Sequence, residues 1–148
     1  MLFLLSLLLL GFASSALANF WVFQDVWEID DEETYRFFNK SNPNCDEMNM
    51  APQFDTLSDV SGHIGVRVKG NDHLNPDELE VHAYQVHFTI YKNRNYHVVD
   101  TKGTDHGPCQ HVEGIQWKCP GKGSDFRDTA VFHCNTLDYD AQAINFQG

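Results

Sequence analysis

Residues 81–100, VHAYQVHFTIYKNRNYHVVD, decide the fold. Along Val81 to Tyr91, His82, Tyr84, Val86, Phe88 and Ile90 alternate with Val81, Ala83, Gln85, His87, Thr89 and Tyr91. That period of two is the signature of a strand. Asn93-Arg94-Asn95 follows as a tight turn and Tyr96 to Asp100 as a returning strand, so the stretch predicts a β-hairpin. Upstream, His63 to Lys69 alternates in the same way, with Ile64, Val66 and Val68 on one face. Asn19 to Ile29 (NFWVFQDVWEI) is dense in aromatic and β-branched residues and stops at the acidic turn Asp30 to Glu33. Downstream, Val112 to Lys118, Thr129 to Cys134 and Ala143 to Phe146 read as further strands. Helical signal is thin. Asn75-Pro76-Asp77-Glu78 joins an N-cap, an early proline and early acids, and Phe54 to Asp59 suits one more short turn. Loops rich in Gly, Pro, Asn and Asp separate these segments. The expectation is a mainly β chain: a compact antiparallel β-sandwich or β-barrel of about seven short strands with one or two short helical turns.

The N-terminus sets the compartment. Residues 1–18 run through an apolar core into small residues ending Ala16-Leu17-Ala18. An apolar segment followed by A-x-A reads as a signal peptide, cut after Ala18. The apolar run is shorter than the roughly 20 residues of a spanning helix, and Ser14 and Ser15 interrupt it. The expected division is therefore a signal peptide over 1–18 and one secreted β-domain over 19–148, with no membrane span. Cys45, Cys109, Cys119 and Cys134 all lie in the second part. Four cysteines in a small exported chain imply two disulfides, with three pairings open. Cys109–Cys119 with Cys45–Cys134 is favoured, because the first would close a local loop containing Gly114. Loop-closure arithmetic gives about 3 and about 4.5 kcal/mol for these bridges, comparable with the whole stability of a small domain.

Charge excludes some partners. Asp and Glu number 21 against 10 Lys and Arg, a formal net of −11. Such a surface repels phosphate backbones, and no basic stripe overrides it, so nucleic acid is not an expected partner. Protonating all eight histidines would bring the charge to −3, softening that repulsion in acidic fluid. His106, Cys109, His111 and His133 lack the paired spacing of a zinc site, and cysteines in disulfides supply no thiolate; no metal and no cofactor are expected. Glu28, Asp30, Asp31, Glu32 and Glu33 lack the order of a calcium loop and read as a solvated turn. For acid–base catalysis the chain offers His82 or His97, Glu113 and Arg127, without diagnostic spacing. Carboxylates such as Asp25, Glu28, Asp100 and Glu113 are numerous, but facing pairs are not evident. Aromatic residues are the better lead. Phe20, Trp21, Phe23 and Trp27 crowd the first strand, and Tyr84, Phe88, Tyr91 and Tyr96 the hairpin. Trp117 beside Cys119, with Trp21, Tyr91 and Tyr96, are the candidate binding residues. Asn39-Lys40-Ser41 is a glycosylation sequon in a polar loop.

Several stretches together resemble a family of small secreted proteins of filamentous ascomycete fungi, of the effector or elicitor type. They are NFWVFQDVWEID (19–30), PNCD (43–46), DVSG (59–62), IGVRVKG (64–70), HFTIYKNRNYHVVD (87–100), WKC (117–119) and FHC (132–134). The pattern spans most of the chain after the leader. The resemblance implies an extracellular, disulfide-stabilised β fold acting on a host, and it transfers no catalytic residue; a monomer that binds an extracellular protein or glycan of the host is the expected state. The leading expectation is a non-enzymatic binding module. A secreted hydrolase with a carboxylate–histidine site, and a β-barrel carrier with an enclosed apolar pocket, are the alternatives.

Overall fold

The structure, a computed structural model, describes residues 17–148. The expected leader falls outside the described residues up to residue 16. Ten strands and two short helices follow in chain order: β1 (Ala18–Trp27), β2 (Glu33–Phe38), α1 (Cys45–Met50), β3 (Phe54–Asp55), β4 (Gly65–Lys69), β5 (Glu78–His82), β6 (His87–Tyr91), β7 (His97–Asp100), β8 (Asp105–His111), β9 (Gln116–Pro120), β10 (Asp125–Thr136) and α2 (Ala141–Asn145). All strand pairs are antiparallel, in the order β3-β2-β1-β10-β8-β7-β6-β5-β4. The two ends of that series meet. Thr56, just after β3, bridges Val66 of β4, and Leu57 N donates to Val66 O at 2.8 Å. The closure depends on Gly65, where a Cβ would lie 2.8 Å from Leu57 Cδ1 and 2.9 Å from Asp55 O. The result is a nearly closed antiparallel barrel.

Two hydrophobic cores lie on opposite faces of β1, β2 and β10. Alternation along β1 and β2 sends Phe20, Val22, Tyr35 and Phe37 into the barrel, where Phe54, Leu79, Val81, Phe88, Ile90, Val98 and Phe132 fill the interior. Helix α2 adds Ala141 and Ile144 to this core, and Asn145 Nδ2 donates to Phe37 O at 2.9 Å. The opposite face carries Trp21, Phe23, Trp27, Phe38, Phe126 and Ala130, covered by α1 through Met48 and by β9 through Cys119 and Trp117. Each buried Phe contributes about 2–3 kcal/mol.

Strand β10 serves both cores because of a bulge. Val22 opposes Phe132 and Phe23 opposes Ala130, leaving Val131 as the extra residue. Phe126, Asp128 and Ala130 face outward before it, and Phe132 and Cys134 face inward after it. On the far side of β10 the partner changes at the same place. β8 pairs with residues 132–134 and β9 with 125–129, the chain bowing out between them at 112–115.

Several sequence expectations change. Val81 to Tyr91 is not one strand but the hairpin β5–β6, closed by Ala83 N donating to Val86 O at 2.9 Å. The buried residues are Leu79, Val81 and Ala83, then Val86, Phe88 and Ile90, so the apolar rhythm slips by one across the turn. The strand expected over Val112 to Lys118 begins only at Gln116, and that expected over Ala143 to Phe146 belongs mostly to α2, capped by Asp140. Asn75 to Asp77 bend into β5, which starts at Glu78, rather than forming a helix, and Phe54–Asp55 is a strand. β2, β8 and α1 are additional elements. α1 starts with a reciprocal cap: Glu47 N donates to Asn44 Oδ1 at 2.9 Å, and Asn44 N to Glu47 Oε2 at 2.8 Å.

Two disulfides form, but with the other pairing: Cys45–Cys119 and Cys109–Cys134. Cys109 faces the barrel interior directly opposite Cys134 across β8 and β10, whereas Cys119 belongs to the outer core. The favoured Cys109–Cys119 bridge fails because the bow at 112–115 puts the two side chains on different faces of the sheet.

Candidate functional site

The outer core contains the most unusual chemistry in the molecule. The register of β1 places Asp25 opposite both Thr34 of β2 and Asp128 of β10, and all three are inaccessible to solvent. Arg36, 2% exposed, bonds Asp25 Oδ2 through Nη1 and donates from Nη2 to Gln53 Oε1 at 2.9 Å. Its guanidinium carbon lies 4.9 Å from the Phe126 ring centroid. One guanidinium cannot neutralise two buried carboxylates, and an uncompensated buried charge is strongly unfavourable. The pair therefore retains a proton. Burial, reinforced by the hydrogen bond to Asp128, holds Asp25 well above the usual carboxylate range despite Arg36; burial also raises Asp128.

Above this cluster is a cleft of about 460 Å³, lined by Trp27, Arg36, Asn49, Gln53, Pro120, Gly121 and Lys122. One wall comes from α1 and the segment after it, the other from the β9–β10 turn. The Cys45–Cys119 disulfide ties α1 to β9. Asn49 Nδ2 ties them again, donating to Cys45 O at 2.9 Å and Pro120 O at 2.8 Å. Gly121 lets the turn lie against the aromatic floor, since a Cβ there would sit 2.6 Å from Ser124 O and 2.7 Å from Trp27 Cζ3. Trp27 in turn rests on Phe126, with ring centroids 4.8 Å apart. Beneath the cleft surface the Trp27 indole N–H and Arg36 Nε–H are buried without a hydrogen-bond partner, and at its rim the exposed Lys122 makes no ion pair among the described residues. No carboxylate lines the cleft.

A second cleft of about 340 Å³ opens where the chain bows between β8 and β9, with Asp72, Asn75, His111, Glu113 and Thr129 among its lining. Here His111 Nδ1 stands 3.8 Å from Glu113 Oε1, beyond hydrogen-bond reach, and His111 Nε2 is engaged with Leu74 O at 2.8 Å. A third cluster lies in neither cleft. His106, 8% exposed, is gripped by Asp138 at 2.6 Å on Nδ1 and by Asp100 at 3.0 Å on Nε2, and its ring stacks on Tyr139 at 4.3 Å. Burial disfavours the charged ring, but the hydrogen bonds to Asp100 and Asp138 outweigh it and raise the His106 pKa. The same bond from His106, with the Thr104 and Lys102 amides, lowers Asp100 to about 2. Both ring nitrogens of His106 thus face carboxylates, clamping the β7–β8 turn to the segment before α2.

The expected binding aromatics are dispersed. Trp117 is half-buried against Phe23, centroids 5.5 Å apart, and Trp21 stacks on His133 at 4.2 Å. Tyr96 packs on Phe132 and donates its hydroxyl to Asn75 Oδ1 at 3.0 Å. Tyr91, half-exposed on β6, carries Arg94 over its ring. Asn39 is exposed just after β2. The catalytic candidates do not converge: His82 engages Val60 O and stacks on His87, His97 bonds Asp105, Glu113 lies on the bow and Arg127 is exposed on β10. Among the described residues, no group of three or more His, Cys, Asp or Glu side chains is placed to hold a metal ion. Arg36, Asn49, Gln53 and Lys122 are additions that sequence reasoning missed. Arg36 had one visible signal, a lone cation between Tyr35 and Phe37 within an aromatic strand. When the chain is compared with protein-family models, curated proteins and solved structures, nothing matches.

Proposed function

We propose that this chain is an extracellular binding module, of the kind a secreted fungal effector would be, and that it engages a host partner through the cleft between α1 and the β9–β10 turn. The observation that carries this reading is the double tie across the cleft. The Cys45–Cys119 disulfide and the Asn49 hydrogen bonds hold both walls in place before any ligand arrives. A preformed cleft loses little conformational entropy on binding, so its contacts convert more fully into affinity. The cleft volume, about 460 Å³, lies within the range of small-molecule and sugar-sized sites. Two disulfides also suit an oxidising, extracellular setting. No helix among the described residues is long and apolar enough to cross a membrane.

The test compares the oxidised protein with a Gln53→Trp/Lys122→Glu double variant, which fills the cleft and inverts its charge at two exposed positions. Both are applied to arrays of extracellular glycans and to immobilised host extracellular proteins. Binding by the parent that the double variant loses supports the reading. Equal binding by both moves the partner to another surface and overturns it.

A further inference from the structure

We infer that the ligand of this cleft is a carboxylate-bearing saccharide, an inference that rests on the binding role proposed for the same cleft. Charge comes first. On a chain of net charge −11, this cleft has Arg36 and Lys122 as its only charged lining residues. The clefts at Asp72 and Glu113, at Asp77 and Glu78, at Asp59, and at Asp140 each carry at least one carboxylate. Against an acidic background, an anionic group is therefore drawn to this place among the described clefts.

Hydrogen-bonding capacity agrees with charge. The two charged groups lining the cleft, the Arg36 guanidinium and the Lys122 ammonium, are donors only. A carboxylate complements them, supplying two acceptor oxygens and no proton. Arg36 is already oriented by Asp25 below it, and its Nη2 donates to the exposed Gln53 amide. A ligand carboxylate that displaces Gln53 Oε1 exchanges a neutral hydrogen bond for a charge-assisted one, which is roughly twice as strong. The buried Asp25–Asp128 proton keeps this exchange favourable. With one carboxylate neutralised, Arg36 and Lys122 together leave the site net positive.

The remaining lining selects a sugar over a compact inorganic anion. Trp27 offers an aromatic surface, and the Gln53 amide and the Asn49 side-chain oxygen offer partners for hydroxyl groups, within about 460 Å³. A cleft built for inorganic phosphate or sulfate alone would need neither the ring nor that volume.

The experiment titrates the oxidised protein with trigalacturonate and with its methyl ester, which keeps the sugar and removes the charge, following heat release and tryptophan fluorescence. Trigalacturonate is expected to bind at least about tenfold more tightly than the ester, with the preference lessened by salt. Two exposed-site variants should fold normally. Lys122→Gln is expected to erode the preference for the acid. Gln53→Glu, which gives Arg36 a built-in carboxylate, is expected to weaken trigalacturonate binding by a similar factor. Equal affinity for acid and ester, or indifference to both substitutions, overturns the inference. Tetraglutamate in place of the sugar separates the two readings. If it binds in a Lys122-dependent way while trigalacturonate does not, the cleft remains a binding site and the saccharide assignment is wrong. If neither binds, the carboxylate assignment fails, and the array experiment alone decides whether the cleft binds anything.

Discussion

Asp25, Asp128 and Arg36 show how much a single proton decides. An acid whose pKa is raised by folding binds its proton more tightly in the native state than in the unfolded chain. The stability this contributes is fully present below the ordinary carboxylate pKa and is lost as pH rises through the folded value. Over that window the loss approaches about 1.4 kcal/mol per pH unit for one proton. In Asp128→Asn the amide donates to Asp25 without needing that proton, and Asp25 pairs with Arg36 as a plain carboxylate. The expected outcome is a flatter stability profile between pH 4 and 7, with a gain at neutral pH. Urea unfolding with disulfides intact measures it, and an unchanged slope would refute the shared proton. In the sequence Asp25 stood out as one candidate carboxylate without a visible partner, and Asp128 only as one acid among 21. Their partnership needs the register of β1 against β10, which the bulge at Val131 sets and composition does not reveal.

At the scale of elements, the hairpin β6–β7 and strands β1, β4 and β10 were legible because alternation and a turn sequence agreed locally. The rest was hidden for identifiable reasons. β5 and β6 merged into one apparent strand because a two-residue gap between Ala83 and Val86 slips the apolar rhythm without an obvious breaker. β8 (DHGPCQH) carries a glycine and a proline, yet it pairs through residues 109–111 with β10 and sits at a bulge against β7. α1 spans six residues, too few for periodicity, and only its Asn44/Glu47 cap announced it. The His106 clamp also belongs at this scale, since it links the β7–β8 turn to the segment leading into α2. Its raised pKa means a stabilisation present below the ordinary histidine value of 6.5 and lost as pH rises through the folded value. His106→Asn is expected to remove that loss, so that variant and parent diverge below pH 6.5 and converge in alkaline solution. Thermal unfolding across pH 5 to 9 checks this; parallel curves would show that the clamp is not ionised.

Across the described residues, a nearly closed barrel carries a separate outer layer, and each half holds its own disulfide. Cys109 and Cys134 sit within the barrel core at 4% and 0% exposure, whereas Cys45 is half-exposed at the start of α1. An attacking thiolate needs access to sulfur. Mild dithiothreitol is therefore expected to open Cys45–Cys119 first, abolishing trigalacturonate binding while far-ultraviolet circular dichroism still reports an intact sheet; mass spectrometry of alkylated thiols identifies the bridge cut. Simultaneous loss of both bridges would contradict this order. A molecule so arranged fails in stages: a weakly reducing environment would silence its recognition surface long before the scaffold itself gave way.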